Sequence, residues 1–492
     1  MSQPSSSFAP MLRAVTAAVA AALALAACSA PVAKPSVAVP SRFAAVASAE
    51  EGQSPQSEAD AAWWNRFGDP VLADLILRAE RDNRDVKIAA QRVRAARAGE
   101  RISRSWLYPS IDAVGGAVDT HTTYGAPIQE RLPDVKAAGA GAQVSWEVDL
   151  SGRLRAGVSA AKADTLAAED SMRGVRLLVL TDVATNYFTL RGALRQLETV
   201  RAIAAAQDET LRLVTARQRV GLATRFDVER AQADASSAHA AIPPLETLAA
   251  ISRDRIAVLV GDQAVHASSI KPWSGTILVP ATQPGQPAAL LERRPDLLAA
   301  KAELDAANAR RRQAKAEYFP RLFMTALFGR STAELVGQSI GPARFSDAAT
   351  LLAMPLFDAG RNRAQNEIAS AGQSEAVLHY EDAIVRALED VENALTALHD
   401  ENDRAQELAS AAESADAAYG RAQSLYARGQ IDLLPLLDAE RTRLSVRVSA
   451  NDSNTQLLLD SVELYKALGG GWQVFEAAPA AAAPRPTRPP NS

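Results

Sequence analysis

The chain of 492 residues holds one cysteine, at position 28. No disulfide can close within a single copy, so even in an oxidising compartment the fold rests on packing. Histidine is nearly as scarce: His121, His239, His266, His379 and His399 lie scattered, with none of the spacing that metal ligands need. Nucleophile elbows and phosphate-cradling glycine loops are also missing, and "HYED" at 379–382 reads as a helix surface, so an enzyme finds little support. With 53 basic against 57 acidic side chains the net charge is −4, leaving no basic surplus for nucleic acid. Beyond residue 28 there is no run of 18 apolar residues. That excludes membrane-spanning helices but not a β-barrel, whose strands need only about ten alternating residues each.

What is present begins at the N-terminus, where Arg13 precedes the apolar run "AVTAAVAAALALAA" (14–27) and then Cys28. The run is too short and too rich in small residues to span a membrane. "LAAC" at 25–28 resembles a bacterial lipobox, which makes residues 1–27 a signal peptide and Cys28 the lipidated first residue of the mature chain. The alternative is an ordinary secretory signal with a coincidental cysteine. Ser29 in place of an aspartate favours the outer over the inner membrane. No cofactor is expected apart from the covalent lipid on Cys28.

Set against itself at an offset of 208, the chain repeats without a gap from Gly152 to Gly261. Gly152-Arg153 meets Gly360-Arg361, Asp182-Val183 meets Asp390-Val391, and Gly221 meets Gly429. From Gly152 to Val220 there is no proline, and Met172, Val175, Val179 and Val183 recur at helical spacing. The pattern predicts one helix of nearly 70 residues, ~100 Å long at about 1.5 Å per residue. A reversal follows at "VGLATRFDVERAQ" (220–232), with Thr224 and Asp227 at capping-box spacing, and a return helix over about 225–260 that Pro243-Pro244 must kink or split. In the second copy the reversal is "RGQIDLLPLLDAE" (428–440). There Gly429 ends one helix, Asp432 caps the next and Pro435 falls in its first turn, while Asn451-Asp452 replaces the proline pair and need not break the return.

Ahead of each long helix the period changes to two. "GAQVSWEVDLSG" (141–152) alternates, with Val144, Trp146, Val148 and Leu150 on one face and Gln143, Ser145, Glu147 and Asp149 on the other. "SIDAVGGAVDT" (110–120), "RLFMTALFGRS" (321–331) and "DAATLLAMPLF" (347–357) are further strand candidates, joined by polar loops expected at 121–136 and 331–345. Four strands cannot close a barrel, and an open sheet in lipid leaves backbone groups unpaired. Closure therefore calls for other chains.

"WWNRFGDPVLADLILRAERDNRDVKIAAQRVRAARA" (63–98), "LYPSI" (107–111), "ERRPDLLAAKAELDAANARRRQAKAEYFPRL" (292–322) and "ALGGGW" (467–472), in that order around a repeat, resemble the outer-membrane factor (TolC-like) family, lipoprotein branch. The resemblance covers nearly all of the mature chain. It implies an α+β membrane channel: a homotrimer in which each chain gives four strands to a twelve-stranded outer-membrane β-barrel, continued by a periplasmic α-helical barrel. It also implies a mixed equatorial belt. The expected organisation is a signal peptide (1–27), an N-terminal equatorial segment with a first helix (28–106), a first repeat (107–261), an equatorial linker (262–290), a second repeat (291–469), and a C-terminal equatorial segment with a Pro/Ala tail (470–492).

The function implied is the exit duct of a tripartite efflux system, passive and gated at its periplasmic end. Its partners would be a periplasmic adaptor protein and an inner-membrane pump of the RND type. The resemblance places adaptor docking on the reversals, at Gly221, Thr224, Gly429 and Asp432, and an inward aspartate ring on Asp438 with a gate bond from Tyr426. Many relatives carry a second acidic residue where this chain has Pro435. Type I protein secretion and metal efflux are alternative cargoes. A lipid-anchored periplasmic coiled-coil scaffold is the rival of a different class, but it leaves the alternating strands unexplained.

Overall fold

The computed structural model describes residues 32–44, 62–120, 135–262, 280, 287–335 and 338–476. Cys28, the signal peptide, most of the 121–136 and 262–290 segments and the Pro/Ala tail lie outside them. The chain divides into two compact units, one of Met1–Ser36, Val93–Ala168 and Ala300–Glu381, the other of Val37–Arg92, Glu169–Ala299 and Asp382–Ser492.

In chain order the elements are α1 (Pro70–Asp82), α2 (Arg84–Ser105), β1 (Ser110–Thr120), β2 (Val135–Val148), α3 (Arg153–Arg219), α4 (Arg225–Ala240), α5 (Ile242–Leu259), α6 (Leu290–Arg293), α7 (Pro295–Ala316), β3 (Arg321–Leu335), β4 (Gln338–Ala353), α8 (Arg361–Ala427) and α9 (Leu433–Ala467). The two long helices α3 and α8 have 67 residues each, with starts and ends 208 positions apart. Their first turns are held alike: Asp149 accepts from the amides of Leu154 and Arg155, and Asp358 from those of Gly360 and Asn362. A carboxylate there satisfies amides that have no partner inside the helix and opposes the positive end of its dipole. The return after α3 is split between Ala240 and Ile242, with Pro243 and Pro244 in the first turn of α5, whereas α9 runs unbroken for 35 residues. Asn451, which stands where the prolines do in the other copy, uses its Nδ2 to donate to Gln196 (3.0 Å) and Thr199 (2.9 Å).

The first unit holds a four-stranded antiparallel sheet in the order β1-β2-β3-β4. One face carries the row Ile111, Val144, Ala326, Ala348, and the next row, on the opposite face, is Asp112, Gln143, Leu327, Asp347. β1 spans 110–120 as expected, whereas the other three strands lie where expected but differ in length, β2 starting at Val135 and ending at Val148. Residues 331–345 were expected as a polar loop, yet β3 continues to Leu335 and β4 begins at Gln338, with a register irregularity between Ser331 and Ala333. Serine, glycine and arginine hide the alternation there, because ladder pairing needs backbone rather than apolar side chains. β4 also stops at Ala353, short of the expected 357, ahead of Pro355, which has no amide to give.

Gly141 and Gly329 face each other in the ladder. A Cβ on Gly141 would sit 2.4 Å from the Phe328 carbonyl oxygen, and one on Gly329 would sit 2.4 Å from that of Ala140 and 2.7 Å from the Phe345 ring. The backbones approach too closely here for any side chain, and the Phe345 ring lies over the space this leaves.

At the foot of the sheet Glu147 accepts from Arg153 (2.8 Å) and Arg321 (2.8 Å), and Arg153 also reaches Glu317 (3.2 Å). This ion cluster joins the ends of β2 and α7 to the starts of α3 and β3.

The second unit has its own apolar core, centred on Trp63, Phe67, Phe188 and Tyr465. Trp63 stacks on Tyr465 at 5.1 Å, and Phe67 lies 4.9 Å from Phe188. Asp69 caps α1 and also accepts from Tyr187 at 2.5 Å and from Arg191, so a half-buried carboxylate fixes the chain's entry into this core. Burial and the Asp69 bond push the Tyr187 phenol well above its ordinary value.

Gly141→Ala is expected to block sheet assembly, read as loss of heat-modifiable gel migration. Gly116→Ala, where an added Cβ meets nothing within 4 Å, should migrate as wild type.

Candidate functional site: the two helical reversals

Both reversals are built by the same backbone device. After α3 the amide of Gly221 donates to Gln218 (3.0 Å) and that of Leu222 to Arg217 (2.8 Å). After α8 the amide of Gly429 donates to Tyr426 (2.9 Å) and that of Gln430 to Leu425 (2.9 Å). These are Schellman turns, which require a left-handed residue, and Gly221 and Gly429 supply it at φ 79° and 70°.

The entries into the return helices differ. Thr224 and Asp227 form a full capping box: the Asp227 amide donates to the Thr224 hydroxyl (3.2 Å) and the Thr224 amide to Asp227 (2.8 Å). Bonds from the Thr224 hydroxyl and amide hold the Asp227 carboxyl below its usual range. Asp432 occupies the equivalent cap position, but its side chain makes no cap bond. The expected capping bond is absent because Pro435 stands third in α9 and carries no N–H, the donor a cap side chain most often satisfies.

Tyr426, in the last turn of α8, accepts a hydrogen bond from Arg217 in the last turn of α3, and the guanidinium lies 5.0 Å over its ring. This bond joins the two repeats, and no spacing or residue-type pattern points to Arg217 as the donor. Asp438 is exposed on α9 with no side-chain partner given among the described residues. Around the turns Val220, Leu222 and Phe226 are each about two-thirds exposed, and Leu434 is also exposed.

Above the turns lies a charged ladder that residue-type reasoning missed. Arg441 on α9 pairs with Asp234 on α4. Asp416 on α8 accepts from Arg443 (2.8 Å) and Arg447 (2.7 Å), and Arg443 lies 4.5 Å over the Tyr419 ring. Burial raises the Asp416 carboxyl, but the two arginine bonds outweigh it and hold the group below its usual range. Glu440, 1% exposed, sits within this ladder. The only sequence signal was the spacing Asp438, Glu440, Arg441, Arg443, Arg447, which reads as an ordinary solvated helix face.

One long helix and its return in each copy, paired reversals and a strand sheet with an apolar face describe a chain of known kind. A family model described as outer membrane efflux protein matches residues 75–262 and 287–470. The chain belongs to this family. The outer membrane protein OprJ of Pseudomonas aeruginosa is 31% identical over 422 residues, covering 83% of this chain and 86% of that protein. The toluene efflux pump outer membrane protein TtgF of Pseudomonas putida is 31% identical over 432 residues, covering 86% and 88%. The crystal structure of the open state of the Neisseria gonorrhoeae MtrE outer membrane channel is similar at a TM-score of 0.80 and 26% identity, covering 90% of this chain and 98% of that one. The protein is an outer-membrane efflux channel with a large periplasmic helical portion. Among the described residues no helix is long and apolar enough to cross a membrane, which bears only on helices.

Thr224→Ala is expected to cost about 1 kcal/mol of local helix stability, and Asp432→Ala a few tenths at most. Amide hydrogen exchange at residues 225–229 and at 433, 434, 436 and 437 measures both.

Proposed function

We propose that three copies of this chain close a twelve-stranded barrel and act as the exit duct of a tripartite efflux system. The duct takes small molecules from an inner-membrane pump, of the RND type, through a periplasmic adaptor. The observation that carries this reading is the four-stranded sheet: β1 and β4 have no outer partner strand among the described residues, and lipid would leave those edges unsatisfied. Copies joining β4 to β1 satisfy every edge.

The reversals are the periplasmic mouth. Their exposed apolar residues Val220, Leu222, Phe226 and Leu434 surround Gly221, Thr224, Gly429 and Asp432, and an adaptor would cover them. Asp438 supplies one carboxylate per chain to a ring about the axis, which repels itself and selects cations. Tyr426, tied to Arg217, helps hold the mouth shut. Since Pro435 replaces a second acidic position, the ring depends on Asp438 alone. Cys28 would anchor the mature N-terminus in the outer membrane. Passage itself needs no chemistry, and the energy comes from the pump.

The toluene-pump relative supports small organic cargo. A deletion strain grown against antibiotics, solvents and metal salts separates this from metal efflux or protein secretion. Asp438→Ala is expected to raise single-channel conductance of reconstituted trimers by roughly twofold or more. Unchanged currents together with unchanged antibiotic leakage would remove the gate from Asp438.

A further inference from the structure

Glu440 has no place in the gate described so far, yet it is one of the most deeply buried carboxyls in the described chain. Its Oε1 is enclosed and has no hydrogen-bond partner among the described residues, and the same holds for Oδ2 of Asp234 on α4. Asp234 interacts electrostatically with Glu440, its other oxygen being taken by Arg441. The remaining charged and titratable neighbours are Arg443 on α9 itself and Tyr419 on α8, with Asp416 holding Arg443 from the far side.

An ionised glutamate in this position would face Asp234 as a like charge and compete for Arg441 and Arg443, which are what tie α9 to α4 and α8. A neutral carboxyl leaves both ties intact and offers a donor where two carboxylate oxygens stand unpaired.

We propose that Glu440 is a proton-operated latch on the periplasmic mouth: protonated, it preserves the ties of α9 to α4 and α8, and ionised, it loosens them. The proposal rests on the reading of Asp438, two residues earlier on α9, as part of the gate. Burial, with Asp234 adding to it and Arg443 opposing, raises the Glu440 carboxyl above its ordinary value. The tied arrangement of α9 therefore binds the proton more tightly than a solvated glutamate does. Its advantage is complete below the ordinary glutamate value of about 4.3 and is lost as pH rises through the raised value. Since periplasmic pH follows that of the medium, the latch makes the resting channel tightest in acid.

The test uses full-length trimers in planar bilayers between about pH 5 and about pH 9. Wild-type open probability should climb with pH, by at most about tenfold per unit for each latch. Glu440→Gln, a neutral near-isostere, should remain at the wild-type acid level with the climb removed or strongly flattened, and Asp438→Asn should keep a climb. Infrared spectra followed across this pH range should show a protonated carboxyl stretch, absent from Glu440→Gln, that persists to higher pH than the stretches of solvated carboxyls, a readout that does not depend on gating. A Glu440→Gln profile that follows wild type, or a missing carboxyl stretch, overturns the latch. A flattened Glu440→Gln profile beside an Asp438→Ala channel of unchanged conductance upholds the latch and removes the aspartate ring instead.

Discussion

In hydrocarbon, a strand edge has no water to turn to, and every unpaired amide or carbonyl costs several kcal/mol. Among the described residues the sheet has two edges without a partner strand, on β1 and β4, and a row pattern that puts Ile111, Val144 and Ala326 on one face and Asp112, Gln143, Leu327 and Asp347 on the other. Much else follows from that constraint. The strands are long enough to cross a membrane but too few to close. Gly141 and Gly329 give up side chains where the backbones approach too closely for a Cβ, and the Phe345 ring lies beside Gly329. The ion cluster of Glu147, Arg153, Arg321 and Glu317 marks where pairing by backbone gives way to packing by side chains.

Below that cluster the physics changes. A helix satisfies its own backbone, so α3 and α8 can run for 67 residues without a partner strand, provided their apolar stripes are covered. What a helix cannot satisfy is its ends. The chain spends its most specific residues there: Asp149 and Asp358 at the starts, Gly221 and Gly429 at the stops, and Thr224 with Asp227 at the restart. Positions set by such local rules were legible from sequence. The two reversals, the long proline-free helices, the split at Pro243-Pro244 and the core of each strand could all be read from spacing and residue type.

What could not be read was set by partners distant in the chain. Arg217 and Tyr426 are 209 residues apart, and nothing in either segment names the other. Asp432 reads as a cap by its type, but the proline three residues later removes the donor it would serve. The strands between 331 and 345 read as a loop because small and charged residues suffice where the ladder alone does the holding. Glu440 is the extreme case. Its spacing among charged neighbours suggests a solvated surface, and only the packing of α4, α8 and α9 shows it to be enclosed.

The chain's two return helices are unequal arms. One return, α9, is a single rod of 35 residues, stitched at Asn451 to Gln196 and Thr199, while the other is jointed at Ala241 ahead of two prolines. Bending a continuous helix stretches its hydrogen bonds, but a joint has already surrendered them. Flexure is expected to concentrate at Ala241, so the two returns are not mechanically interchangeable: one is a stiff stave, the other a hinged one.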